Sequence, residues 1–189
     1  MNRLRLIITF IAIFAMGRAM AQDDALLNRI EKANAGVKLN DVSFVEVRHP
    51  AGQSEKTVEG TIMYDAAAGL KMDYTNPKGE YFIINGTQMT LLRDGHEAFF
   101  DLTKNKPMKS LAELLTSSFN GTLTRLAEAN NANLTVKEVK EGIVATLEAK
   151  KKAVRGYAKV VLTYDVKSLH LVNMVMEEFD GSVTTYRMK

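Results

Sequence analysis

The strongest constraint in this sequence is a series of short segments in which apolar and polar residues alternate. Alternation of this kind is typical of strands that bury one face. The alternating segments in the first half of the chain are 42–47, 58–64 and 70–74, and shorter, mainly apolar strand candidates follow at 81–84, 89–92 and 98–100. Asn85-Gly86 and Asp94-Gly95 lie between neighbouring segments, and both dipeptides favour two-residue hairpin turns. Since such short connections join antiparallel neighbours, the first half of the chain predicts an antiparallel sheet.

Apolar residues recur at helical spacing in two places. Ser110-Leu111-Ala112-Glu113 has the pattern of a capping box, which predicts that a helix begins at Ser110. Asn120-Gly121 interrupts this helix, and the apolar residues of 123–127 predict a second short one. A helix is also expected near the start of the chain, capped by Asp23 or Asp24 and running through Lys32.

Alternation resumes after the central helices. The strand candidates there are 134–139, 142–148, 157–164, 169–179 and 182–188. We find no internal repeat and no linker in the sequence. The pattern predicts an α+β fold, with one curved antiparallel sheet of about ten to eleven strands and helices covering one face.

The N-terminus has the features of a secretory signal peptide. Arg3 and Arg5 form a basic region, residues 6–16 are nearly all apolar, and Ala19-Met20-Ala21 fits a cleavage site. We therefore expect residues 1–21 to be removed near Ala21. Residues 22–189 are then a single domain, and we expect a periplasmic location.

Composition excludes several classes of function. The formal charge is +3, but Arg3, Arg5 and Arg18 account for it, so the rest of the chain is neutral and no nucleic-acid partner is expected. The chain has no cysteine, which excludes disulfides, a cysteine nucleophile and a thiolate zinc site. The three histidines show no ligand spacing, and no acid, base or nucleophile set is clustered. We expect no metal, no cofactor, no catalytic residues and no enzyme activity.

Residues 60–91 carry a resemblance to a known family. The ordered pattern is a glycine (Gly60), an apolar strand, an aromatic-bearing strand, a proline (Pro77), an apolar strand, Asn85-Gly86 and a further apolar strand. Residues 169–188 add an apolar strand, a hairpin and a strand with threonine and tyrosine. In this order the chain resembles the LolA family of periplasmic carriers of outer-membrane lipoproteins.

The resemblance implies an incomplete, half-open antiparallel β-barrel whose open side is covered by helices. A hydrophobic cavity between barrel and helices would hold acyl chains. The implied cavity residues are Ile62, Tyr64, Leu70, Met72, Tyr74, Phe82, Ile84, Met89 and Leu91. The implied lid residues are Leu111, Leu114, Leu115, Phe119, Leu123 and Leu126.

The implied function is a carrier, or chaperone, that moves acylated lipoproteins from the inner to the outer membrane of a Gram-negative bacterium. Its implied partners are these lipoproteins or lipids, an inner-membrane exporter and an outer-membrane acceptor, and it would work as a monomer. An alternative is a periplasmic lipid-binding or envelope-sensing module of the same fold that transfers no lipoprotein. A third interpretation is that the apolar stripes form an ordinary packed core.

The sequence departs from the family pattern in one region. Ala66-Ala67 stands where the family has Arg-Pro, and the arginine of that pair is thought to tie the lid to the barrel. Met72 stands where an aromatic residue is usual. The alanines favour the alternative function. Lys150-Lys151-Lys152 is predicted to be a solvated hairpin loop, with contact to an anionic lipid or an acidic partner as the other interpretation.

Overall fold

The computed structural model describes residues 23–189, which form one antiparallel sheet of eleven strands and three helices. The first helix, α1, covers residues 23–34. The predicted signal peptide, residues 1–21, lies outside the described residues. No helix within 23–189 combines the length and apolar character needed to cross a bilayer.

The other elements alternate as the sequence predicts, with six strands, two helices and five strands. They are β1 (Lys38–His49), β2 (Lys56–Asp65), β3 (Gly69–Asn76), β4 (Lys78–Asn85), β5 (Gln88–Arg93), β6 (His96–Asp101), α2 (Lys106–Asn120), α3 (Leu123–Ala129), β7 (Ala132–Val139), β8 (Gly142–Ala149), β9 (Tyr157–Tyr164), β10 (Leu171–Glu178) and β11 (Val183–Met188).

The strand order is β6-β5-β4-β3-β2-β1-β11-β10-β9-β8-β7. The first strand of the chain, β1, therefore pairs with the last, β11, in the middle of the sheet. The two edges are β6 and β7, which are not paired with each other, and α2 and α3 connect them. The predicted α+β fold, an incomplete antiparallel barrel with helices on one face, is therefore confirmed.

Local turn chemistry sets the register of the hairpins. Asp94 and Gly95 both have positive φ, 50° and 74°, as a two-residue turn of the primed type requires. The turn predicted at Asn85-Gly86 is displaced by one residue, because Asn85 pairs with Gln88 and the turn residues are Gly86 and Thr87.

The predicted start of α2 is wrong by four residues. The helix begins at Lys106, and the side chain of Asn105 accepts a hydrogen bond of 3.2 Å from the backbone N–H of Met108. Pro107 lies in the first turn, where its missing N–H costs nothing. Ser110 is therefore inside the helix, and its hydroxyl hydrogen-bonds the side chain of Asn130 at 2.9 Å, joining the start of α2 to the end of α3.

The strand predicted at 169–179 is also shorter than expected. Residues 165–170 form a turn in which the Asp165 carboxylate accepts hydrogen bonds from the N–H groups of Lys167 and Ser168. Leu169 has φ of 60°, outside the extended region, so pairing begins only at Leu171.

Candidate functional site

The predicted cavity residues share one face of the sheet, which we call the inner face. Pairing places Met72 between Ile62 on β2 and Phe82 on β4, and it continues from Phe82 to Leu91 on β5. Side chains opposite one another on antiparallel strands point to the same side. All nine predicted residues therefore lie together; eight are buried, and Leu91 is partly buried.

The predicted lid residues belong to α2 and α3, which cover the inner face. Leu114, Leu115 and Phe119 of α2 are buried, as are Leu123 and Leu126 of α3. Leu111 is only partly buried. The leucines of α2 and α3 pack against the inner face as part of one apolar cluster.

Two tyrosines fasten the lid to the sheet. The ring of Tyr64 on β2 stacks on Phe119, with ring centroids 5.5 Å apart. The hydroxyl of Tyr164 on β9 donates a buried hydrogen bond of 2.8 Å to the carbonyl of Ser118. Because this carbonyl belongs to the last turn of α2, it has no partner inside the helix, and Tyr164 supplies one.

Helix α1 forms the rest of the cover. Gly121, at the C-cap of α2, lies so close to α1 that a Cβ there would be 3.0 Å from Ile30 and Glu31. At the last residue of α1, the side-chain amide of Asn34 donates to the carbonyl of Leu169 at 2.7 Å. The three helices are thus held as one cover over the inner face.

Ala66 and Ala67 line an open cavity of about 600 Å³ between the lid and the turns after β2 and β4. The space where the family pattern has an arginine is therefore unfilled. Lys109 and Glu113 of α2 line the same cavity and pair with each other at 3.7 Å. Tyr64, which lines the same cavity, contacts α2 here through Phe119 and Asn120, whereas Tyr164 holds the lid at β9.

A second cavity, of about 240 Å³, lies at the opposite end of the sheet. Leu114 and Leu126 of the lid face Leu147 of β8 and Val160 of β9 across it. This volume is below the roughly 300–1,000 Å³ of pockets that hold a drug-sized ligand. This second cavity is therefore too small, as it stands, for a ligand of that size.

Sequence reasoning missed a buried ion pair on the inner face. Glu46 is 1% exposed, and Arg48 binds both its carboxylate oxygens, with Nη2–Oε2 at 2.8 Å. The hydroxyl of Tyr74 donates to the same carboxylate at 3.1 Å. Burial works against the charge of Arg48, but Glu46 outweighs it and raises the Arg48 pKa above its usual value. The available signal was the spacing Phe44-x-Glu46-x-Arg48, which puts all three residues on one face.

The histidines do not form a site. His170 hydrogen-bonds Asn34 at 3.0 Å, and His49 lies 3.0 Å from Glu55 near the start of β2. Within residues 23–189, no three His, Asp or Glu side chains are placed to hold a metal ion.

No protein-family model and no curated protein matches this chain. Solved structures similar to it include a LolA superfamily protein from Nitrosomonas europaea, 10% identical over 88% of this chain and 91% of that one, with a TM-score of 0.41. The Mycobacterium tuberculosis lipoprotein LppX is 16% identical over 88% and 94%, with a TM-score of 0.40. The MucA/MucB complex of Pseudomonas aeruginosa contains a chain that is 10% identical over 88% of this one and 55% of its own length, with a TM-score of 0.44.

A LolA superfamily protein is thus among the solved structures that are similar to this chain.

Proposed function

We propose that this protein binds the acyl chains of lipoproteins between its inner face and its helical lid, and carries them across the periplasm. The observation that carries the proposal is the contact between lid and sheet. The lid covers a largely apolar face, and its contact with that face is mostly apolar packing, supplemented by the hydrogen bond from Tyr164 to Ser118 and by a hydrogen bond between the side chains of Tyr64 and Asn120. Because apolar packing is non-directional, the lid can separate from the sheet and an apolar ligand can take its place.

The energetics suit exchange between lid and ligand. Burial of one CH₂ group contributes about 0.8 kcal/mol, so an acyl chain of ~16 carbons gains a gross ~12 kcal/mol. A rigid, empty pocket would hold such a chain too tightly for release. In this structure the lid's leucines already occupy the space, so a ligand gains only the difference between its own burial and theirs.

The cavity residues have distinct expected roles. Met72 and Met89, with flexible thioethers, provide an adaptable wall for chains of varying shape. Phe82 and Ile84 would line the middle of the space. Leu115 and Leu123 would swing outward on loading, which exposes the stripe they now cover.

The wider setting follows from the predicted leader and the family pattern. We propose a periplasmic monomer that receives acylated lipoproteins from an inner-membrane exporter and passes them to an outer-membrane acceptor. It would perform no covalent chemistry. The direction of transfer would come from the acceptor binding the lipoprotein more tightly than the carrier does.

A second candidate is a periplasmic lipid-binding or envelope-sensing module that transfers no lipoprotein. The unfilled cavity at Ala66 and Ala67 favours it, because the family's tie between lid and barrel is absent there. A lid held through Tyr64 and Tyr164 instead of an arginine has a different opening equilibrium, which suits a different ligand.

Transfer from membranes tests the proposal. Purified residues 22–189 are incubated with inner-membrane vesicles that carry an acylated lipoprotein, and soluble complexes are isolated by affinity capture. The matched control is the same lipoprotein with its acylated cysteine replaced by serine. We expect capture of the acylated form alone. If neither is captured while free phospholipid co-purifies, the second candidate is correct and the carrier proposal is wrong.

A further inference from the structure

The 240 Å³ cavity at the β8–β9 end of the sheet has an apolar floor and a basic mouth. The floor is formed by Leu114, Leu126, Leu147 and Val160, which come from both the lid and the sheet. Lys151 and Arg155, from the loop between β8 and β9, line the same cavity. The cavity therefore combines the two surfaces that an amphiphile presents.

The residues that line this cavity carry net positive charge, and Glu178, whose charge acts on Tyr157, is not one of them. The residues lining this cavity include two cations and no carboxylate. Among residues 23–189, neither Lys151 nor Arg155 forms a salt bridge. The cavity beside Ala66 is different, since its Lys109 is paired with Glu113.

The loop that carries these cations is fixed at both ends. The backbone N–H of Lys150 donates to the carbonyl of Asn131 at 3.1 Å, and the N–H of Phe179 donates to the carbonyl of Gly156 at 3.1 Å. These bonds join the loop to the start of β7 and to the end of β10. Lys151 and Arg155 are thereby kept beside the mouth.

Tyr157 adds a hydrogen-bond donor at the same place. It lines the cavity, and burial together with the nearby charge of Glu178 raises its pKa to about 12. Its hydroxyl therefore stays protonated at neutral pH.

We propose that this cavity is the entry site for an acyl lipid with an anionic headgroup. The headgroup lies between Lys151 and Arg155, and the first methylenes of the chain lie against Leu126 and Leu147. This rests on the proposed function, because it assumes that acyl chains bind under the lid, and it adds the chemical class of the ligand.

The apolar floor distinguishes this site from a surface that attracts any anion. Exposed cations alone hold a free phosphate weakly. A ligand with both an anionic group and a chain uses the floor and the mouth together. A ligand with the same chain and a zwitterionic headgroup gains less from the two cations.

The test compares two single-chain lipids that share a myristoyl chain, lysophosphatidylglycerol and lysophosphatidylcholine. Binding to residues 22–189 is measured by calorimetry below the micelle concentration, with inorganic phosphate as a competitor. Two new charge contacts of ordinary strength predict about tenfold tighter binding of the anionic lipid. Phosphate should not displace it.

The chain offers a charge-matched control. The double variant K151Q/R155Q removes the cations that line the cavity, and K150Q/K152Q removes the same charge from the same exposed loop. We expect the first variant to lose the tenfold preference and the second to keep it. Thermal melting checks that both fold.

The outcomes separate the two proposals. Equal binding of both lipids by the unaltered protein overturns the anionic entry site and leaves acyl binding standing. Equal loss in both double variants also overturns it, since general attraction then explains the preference. Displacement of the lipid by phosphate shows an anion site alone and overturns it as well. If neither lipid binds, the proposed function fails too.

Discussion

The hydroxyl of Tyr164 on β9 donates a buried hydrogen bond of 2.8 Å to the carbonyl of Ser118 in the last turn of α2. Tyr164 is fully buried, and its burial raises the hydroxyl pKa well above the usual value. The hydroxyl therefore remains a donor at any physiological pH. This bond links the lid to a strand far from the turn where the family pattern places an arginine.

Replacing Tyr164 by phenylalanine should loosen the lid. The Ser118 carbonyl would be left buried without a partner, which costs about 1–3 kcal/mol of folding free energy. We expect a lower free energy of unfolding in urea and faster amide exchange over residues 106–129. Acyl ligands should also bind faster, because the lid opens more readily.

Tyr81→Phe is the matched control. Its hydroxyl bonds Glu97 at the exposed surface, so its loss should change stability little. Equal effects of the two substitutions on amide exchange in the lid would contradict the role given to Tyr164.

Gly121→Ala should separate the lid from α1. Gly121 has φ of 77°, and an added Cβ would lie 3.0 Å from both Ile30 and Glu31. Backbone strain alone costs about 1–2 kcal/mol, and the close approach to α1 adds to it. Urea unfolding measures the sum.

Gly95→Ala is the matched control, because it introduces the backbone strain of a positive φ without a close approach to another helix. Gly95 has φ of 74° and no atom within 4 Å of the added Cβ. We expect Gly121→Ala to be the more destabilising of the two. Equal losses would show that the contact between α1 and the lid contributes nothing.

Glu46→Met should be strongly destabilising. It leaves the guanidinium of Arg48, whose side chain is 19% exposed, without its counter-charge. Removing one partner of a buried pair costs about 3–5 kcal/mol. The double variant E46M/R48M removes both charges, and we expect it to recover most of that loss in chemical denaturation. A double variant as unstable as the single one would contradict this.

Stability should fall at alkaline pH. Burial is the main cause of a raised pKa for five of the six tyrosines, which are Tyr64, Tyr74, Tyr157, Tyr164 and Tyr186. Above pH about 10 the unfolded chain loses these protons while the folded chain keeps them. The contribution of these tyrosines to the free energy of unfolding is therefore fully present below pH about 10, and it decreases as the pH rises toward 12 and beyond.

Tyrosinate absorbance measures this directly, since the chain has no tryptophan. We expect ionisation of most tyrosines to coincide with the loss of structure seen by circular dichroism. In denaturant all six should ionise near pH 10. Ionisation of all six near pH 10 in the folded protein would contradict the burial argument.

Much of the fold follows from local sequence. Alternation identified the stripe that carries Leu70, Met72 and Tyr74, because side chains along a strand alternate strictly. Phe82 lies in a segment that is apolar on both faces, so only the resemblance to the family assigned it to the same face. The Asp94-Gly95 turn fixed a hairpin because both residues accept positive φ. These features depend on residues close together in the chain.

Other features depend on distant residues. The capping box at Ser110 was an incorrect start for α2, because Asn105 and Pro107 form a better one and Ser110 is used by Asn130, twenty positions away. The cavity with Lys151 at its mouth needs the lid and two later strands together. No local pattern could predict that a solvated lysine loop borders an apolar floor.

The most direct test of acyl binding is native mass spectrometry of residues 22–189, purified without detergent from a periplasmic extract. We predict an added mass that dissociates to acyl-containing fragments, with a lipoprotein peptide attached to it. A clean unliganded mass, together with no uptake of a fluorescent fatty acyl probe, would contradict the proposal and leave the inner face as an ordinary packed core.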